Sequence, residues 1–198
     1  MGDVLRVSLI QTDIVWEDKR ANLDKCAAIL SHITGDCDLV VFPEMFTTGF
    51  SMRAEDLAEC IDVKKWSRNY NVAIAGSFIA RAGNVCFNRG FFIEPDGSEH
   101  YYDKRHLFRM GEEGRHFVSG SEKLVVNYRG WNICLLVCYD LRFPVWCRNV
   151  GNEYDLLLFV ANWPQSRSYA WRNLLIARAI ENAAYVCGVD RIGRDATS

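Results

Sequence analysis

The stretch Trp131–Pro144, WNICLLVCYDLRFP, decides how the rest of the chain is read. Its first half is an apolar, β-rich run without polar alternation, the pattern of a strand covered on one or both faces. Cys138 ends that run, and the chain then turns at once polar and charged before closing on Pro144. A thiol kept for packing belongs inside the apolar run. One placed where strand gives way to loop stands where ligands gather in α/β sheets. Taken alone the placement also fits a core thiol, so the neighbouring runs have to decide.

Two further apolar runs end in the same way, LVVFPE at Glu44 and LLLFVAN at Asn162. Around them the spacing predicts a strand in VLRVSLIQ (Val4 to Gln11), then a helix from about Glu17 to Ile33 with Leu23, Cys26, Ala27 and Leu30 on one face. DLVVFPEM reads as a strand broken by Pro43, Ala54 to Tyr70 as a second helix, and VAIAGSFIA as a strand of small residues. In NVCFNRGFFIEPDGSEHYYDK two β-rich runs meet at Pro95, Asp96 and Gly97, a hairpin turn. His106 to Gly120 lacks periodicity and reads as a long loop. KLVVNY, WNICLLVC and DLLLFVAN resume the strands, Ser168 to Asn182 reads as a helix, and AYVCGVDRI as a closing strand. Strands alternating with helices predict an α/β fold, and the lack of repeats or linkers predicts one domain over 1–198.

Composition narrows the function. The chain has 198 residues, 49% of them hydrophobic, with 23 basic against 25 acidic residues and a net charge of -2. No block of either sign points to nucleic acid or an anionic membrane. No apolar run approaches the ~20 residues of a membrane span, and the start lacks the order of a signal peptide, so a cytoplasmic protein is expected. The eight cysteines include no C-x2-C pair, which argues against zinc and for reduced, mostly buried thiols.

A thiol becomes a nucleophile when a base or a cation removes its proton. The histidines, His32, His100, His106 and His116, follow no apolar strand, whereas Glu44 does, so a carboxylate base is favoured. FPEMFTTGF around Glu44, YDKRHLF around Lys104 and LLVCYDLRFP around Cys138 occur in that order, followed by ANWP (Ala161 to Pro164) and ARAIEN (Ala177 to Asn182). Together these motifs resemble the nitrilase superfamily of carbon-nitrogen hydrolases over essentially the whole chain. The resemblance implies a four-layer αββα sandwich, with Glu44 as general base, Cys138 as nucleophile and Lys104 as a cation that favours the thiolate and stabilises the oxyanion. It implies a second glutamate at Glu113, with Glu112 left open, and no metal or organic cofactor.

The resemblance also implies substrate contacts at Tyr139, whose backbone N–H would be a second oxyanion donor, and at Asn162 and Trp163. Phe46 and Arg142 are further substrate-binding candidates. Phe46 and Phe143 fit either core or cleft, and Arg142 fits equally a pair with Asp140. His106 reads as a hydrogen-bonded structural residue. Tyr139 stands where true nitrilases tend to carry tryptophan, and CYDLRFPVW with PEMFTTGF is similar to the ω-amidase branch. That branch cleaves the terminal amide of 2-oxoglutaramate or 2-oxosuccinamate through a cysteine thioester. An N-carbamoyl amino acid amidohydrolase and a catalytically silent interaction protein of the same fold are the alternatives. Family chains continue past VDRIG whereas this one stops at Ser198, so the last part of the sandwich is expected to be absent. A homodimer is expected.

Overall fold

A computed structural model describes residues 4–33, 37–59 and 62–194. The chain begins with β1 (Val7–Leu9), α1 (Lys19–His32) and β2 (Leu39–Val41), followed by α2 (Ala54–Leu57), α3 (Val63–Tyr70) and β3 (Ala73–Ala82). Next come β4 (Val85–Ile93), β5 (Glu99–Asp103), α4 (Glu113–His116), β6 (Leu124–Tyr128) and β7 (Trp131–Val137). The rest is α5 (Pro144–Cys147), β8 (Leu156–Ala161), α6 (Ser168–Asn182) and β9 (Tyr185–Asp190).

The strands form two sheets, one in the order β1-β2-β3-β4-β5 and one in the order β6-β7-β8-β9. In the first, β1, β2 and β3 run parallel and β3, β4 and β5 antiparallel. In the second, β6 is antiparallel to β7 while β7, β8 and β9 are parallel. The inner faces share one core, in which Leu39, Val41, Phe92 and Tyr102 meet Ile133, Leu135, Leu158 and Phe159. Outside the first sheet, Cys26 and Leu30 of α1 and Val63 of α3 pack on Val40 and Ile74. Trp171, Leu174 and Leu175 of α6 cover the second. The layers are therefore α, β, β, α, as the motifs implied. Gly188 lets α6 approach β9, since a Cβ there would lie 2.7 Å from Leu175.

Several expectations need correction. The helix expected over Ala54 to Tyr70 is broken, because Ala58 is extended and the Glu59 N–H bonds to Ile79 O of β3 (3.0 Å). Cys60 lies outside the described residues. The loop expected from His106 to Gly120 holds a 3-10 turn (Arg109–Gly111) and the single turn of α4, both too short to leave a periodic trace. On α1 Leu23 packs, half-buried, against the same core as Cys26 and Leu30, as expected, and the unexpected buried residue is Asn22, with its side chain bonded to both backbone groups of Val15 and to Thr47 O. The cysteines among the described residues are free thiols, and no described helix is long and apolar enough to cross a membrane.

Candidate active site

The parallel strands deliver their C-terminal ends to one place. Glu44 follows β2, Cys138 follows β7 and Asn162 follows β8. Lys104 follows β5 and is aligned by its N–H on Asn88 O (3.0 Å), while Gly120 N bonds to Lys104 O (3.0 Å). Gly120 must be glycine for this contact, because a Cβ would stand 2.1 Å from Asp103 O. Cys138 opens a 3-10 turn (Cys138–Arg142) with φ 46°, a left-handed backbone that costs a non-glycine residue about 1 kcal/mol or more. The apolar run therefore ends abruptly, and the residue at its end is lifted out of the strand direction.

The turn is held from beneath by Asp140, a fully buried carboxylate. It accepts from Tyr102 Oη (2.7 Å), from Val137 N (3.1 Å) and from His106 through both its backbone N (2.9 Å) and ring Nδ1 (2.8 Å). The His106 ring is stacked on Phe143 at 3.6 Å. His106 is thus the hydrogen-bonded structural residue the sequence suggested. Asp140 is fully occupied and does not pair with Arg142.

Above this turn Glu44, Lys104 and Glu113 are all fully buried. Lys104 Nζ donates to Glu44 Oε1 (2.8 Å) and to both oxygens of Glu113 (3.1 and 3.0 Å). Glu113 Oε2 also accepts from Phe108 N (2.5 Å). Glu44 Oε2 accepts from Asn162 N (2.9 Å), and the Asn162 side chain donates to Glu44 O. Glu112, the other candidate, is exposed and pairs with Arg115 (2.5 Å). Burial thus separates two glutamates that spacing left equivalent.

Burial and the charges of this cluster together govern the thiol. Burial first, and then the Glu44 carboxylate, push the Cys138 thiol well above its ordinary range, while Lys104 pulls the other way and is outweighed. Lys104 thus favours the thiolate, as expected, but burial and Glu44 keep the proton on sulfur in the resting site. Burial pulls Lys104 down, but Glu113 and Glu44 more than offset it, so the ammonium is retained. Burial pushes the Glu113 carboxyl up against the opposing pull of Lys104.

Cys138 opens into a cleft of about 430 Å³ to which Tyr139, Arg142, Asn162 and Trp163 also contribute, while Glu44, Lys104 and Glu113 lie buried behind its wall. Phe46 does not line it. Its ring is fully buried and stacked on Phe42 at 5.0 Å, so this candidate belongs to the core. Phe50 and Phe108 supply the aromatic wall instead. Arg142 lies over the Trp163 ring (5.0 Å) and Arg167 over Phe108 (5.2 Å), and among the described residues neither guanidinium is paired with a carboxylate.

Sequence reasoning missed Arg167, Asn88 and Ser77. Asn88 Nδ2 donates to Glu44 Oε1 (2.7 Å) and Glu113 Oε1 (3.0 Å), and its Oδ1 accepts from Ser77 Oγ (3.0 Å). A polar residue inside the β-rich run CFNRG was the available signal for Asn88. Nothing in the sequence marked Arg167.

Known proteins resemble this chain in sequence and in fold. The carbon-nitrogen hydrolase profile matches residues 6–197. The chain is 50% identical to the omega-amidase YafV of Escherichia coli strain K12 over 197 residues, 96% of this chain and 76% of that one. It is 32% identical to the 2-oxoglutaramate amidase of Bacillus subtilis, covering 94% of this chain and 76% of the relative. A crystal structure of a CN-hydrolase superfamily protein from Xanthomonas campestris, with an arsenic adduct in its active site, superposes with a TM-score of 0.92 at 47% identity. That match covers 98% of this chain and 78% of the other.

Proposed function

Because the chain belongs to the carbon-nitrogen hydrolase family, we propose that it is an amidase of the ω-amidase type, cleaving the terminal amide of a small carboxylated amide to acid and ammonia. The observation that carries this reading is the buried Glu44, Lys104 and Glu113 cluster behind the Cys138 thiol, which itself lines the cleft. The substrate class rests on Arg142 and Arg167, whose guanidiniums stand in the cleft wall without a carboxylate partner among the described residues and so suit a carboxylate.

Since the resting thiol is neutral, its proton leaves as the bond forms. Glu44 takes the S–H proton while Sγ attacks the amide carbon, and the carbonyl oxygen becomes an oxyanion. Lys104 Nζ and the Tyr139 N–H, at the start of a helical turn whose first N–H groups lack partners within the turn, offset that charge. Such a donor contributes about 3 kcal/mol to the transition state. Glu44 passes its proton to the amide nitrogen, the C–N bond breaks and ammonia leaves a thioester on Cys138. Water then attacks the thioester carbon as Glu44 takes one of its protons. Collapse of this second intermediate releases the acid, and Glu44 returns the proton to sulfur. Glu113 orients Lys104 throughout.

We read residues 1–198 as one unit in the cytoplasm, where free thiols stay reduced. A homodimer suits the exposed Tyr169, Ile176 and Ile180 along α6. The deciding experiment is ammonia release by the purified protein from 2-oxoglutaramate and succinamate, with Cys138→Ala as the comparison. Activity undiminished in that variant would refute the thioester route, and no release from either amide would refute the substrate class.

A further inference from the structure

Two buried carboxylates with one ammonium between them are an unstable arrangement, because like charges in a dry site drive one group to take up a proton. Glu44 Oε1 and Glu113 Oε1 are both bonded to Lys104 Nζ (2.8 and 3.1 Å) and both also to Asn88 Nδ2 (2.7 and 3.0 Å). Two nitrogens and two oxygens thus close a ring, and Asn88 supplies its neutral side. The amide cannot turn over freely. Ser77 Oγ accepts from Met45 N (2.9 Å), which leaves its own proton for Asn88 Oδ1 (3.0 Å). Met45 is the neighbour of Glu44, so the relay ties the amide to the turn that carries the base. Ser77 and Asn88 are both fully buried, and neither has a role in the reaction as described above.

We propose that Asn88, locked by Ser77, is a positioning residue whose amide nitrogen clamps the two carboxylates against Lys104 and so keeps Glu44 available to the Cys138 thiol. The inference rests on the assignment of Glu44 as base, and it requires no knowledge of the substrate. Removing the two N–H donors favours the protonated carboxyls. The ionised carboxylate that takes the Cys138 proton is then present only at higher pH, while substrate contacts are untouched.

The test is the rate of Cys138 carbamidomethylation by iodoacetamide as a function of pH, read by mass spectrometry, for wild type, Asn88→Leu and Ser77→Ala. Leucine keeps the branched shape and removes the donors. The expected result is that the acid side of the Cys138 profile moves up by about one pH unit or more in Asn88→Leu. A shift of the same sign and smaller size is expected in Ser77→Ala, where the amide is free to flip. With an accepted amide, kcat at neutral pH should fall about tenfold or more while KM stays within about twofold. An unmoved labelling profile in a folded Asn88→Leu overturns the proposal. If that variant does not fold, an unmoved profile in Ser77→Ala does so. Failure of ammonia release, by contrast, refutes the amidase reading and leaves the labelling result to stand on its own.

Discussion

Replacing Lys104 by methionine removes the ammonium that both buried glutamates share and keeps most of the side-chain volume. The structure gives the size of the effect. Lys104 contacts Glu44 once and Glu113 through both oxygens, all without solvent, and removing one partner of such a buried arrangement typically costs about 3–5 kcal/mol. The loss should depend on pH in a defined direction. Without the cation, a carboxyl of the pair is protonated in the folded state at pH values where the unfolded chain ionises it. A folded-state pKa raised above the unfolded value gives stability that is present below the unfolded pKa and lost as pH rises through the folded one. Each pH unit in that window costs about 1.4 kcal/mol, and because burial already raises Glu113 in the wild type against the pull of Lys104, the gap should widen by about 1–3 kcal/mol between pH 5 and pH 7. Urea unfolding of both proteins at pH 5, 6, 7 and 8 measures it. A gap between variant and wild type that is constant across this range, or below about 1 kcal/mol throughout, would refute the account of the cluster as an ion triad.

The remaining predictions concern single positions. Glu113→Gln should lower kcat by about a hundredfold through the loss of a carboxylate on Lys104, whereas Glu112→Gln, at an exposed position, should leave steady-state rates within about twofold. Arg142→Met combined with Arg167→Met should raise KM for succinamate about tenfold or more and spare an uncharged amide such as propionamide, and equal effects on both would remove the arginines from carboxylate recognition. Burial pushes the Asp190 carboxyl up to about 7, with Glu44 adding to the rise and the Trp163 N–H opposing it. The wild type should therefore lose stability as pH climbs from about 4 to about 7. Asp190→Asn, which keeps an oxygen for Trp163 N, should match it at pH 4 and exceed it at pH 8 by on the order of 3 kcal/mol in denaturant melts.

The part of the fold and site that was legible in the sequence is the part that local pattern controls. Apolar runs ending at Glu44, Cys138 and Asn162 mark strand ends, and parallel pairing of such strands brings their ends to one edge. Lys104 was legible only through its motif, because it follows a half-exposed strand whose periodicity is weak. Glu112 and Glu113 are adjacent, and only the left-handed backbone at Glu112 (φ 59°), which turns one side chain outward and the next inward, tells them apart. Asn88 and Ser77 meet across the β3–β4 register, a distance in sequence that no local pattern reports. The break after α2 escaped notice because its cause is a backbone bond to another strand. Phe46 looked like a cleft residue because it is close in sequence to Glu44, but its side chain points into the aromatic stack beneath the sheet.

The left-handed backbone at Cys138 also limits which nucleophiles this scaffold can carry. At φ 46° a side chain with a single substituent on Cβ is strained but accommodated, whereas a β-branched one collides with its own backbone. Serine can therefore stand in for the thiol with the turn intact, and threonine cannot without rebuilding Cys138–Arg142 and the Asp140 anchor below it. The choice between sulfur and oxygen chemistry is open to evolution at this position, and the route to a threonine hydrolase is closed by the shape of the main chain alone.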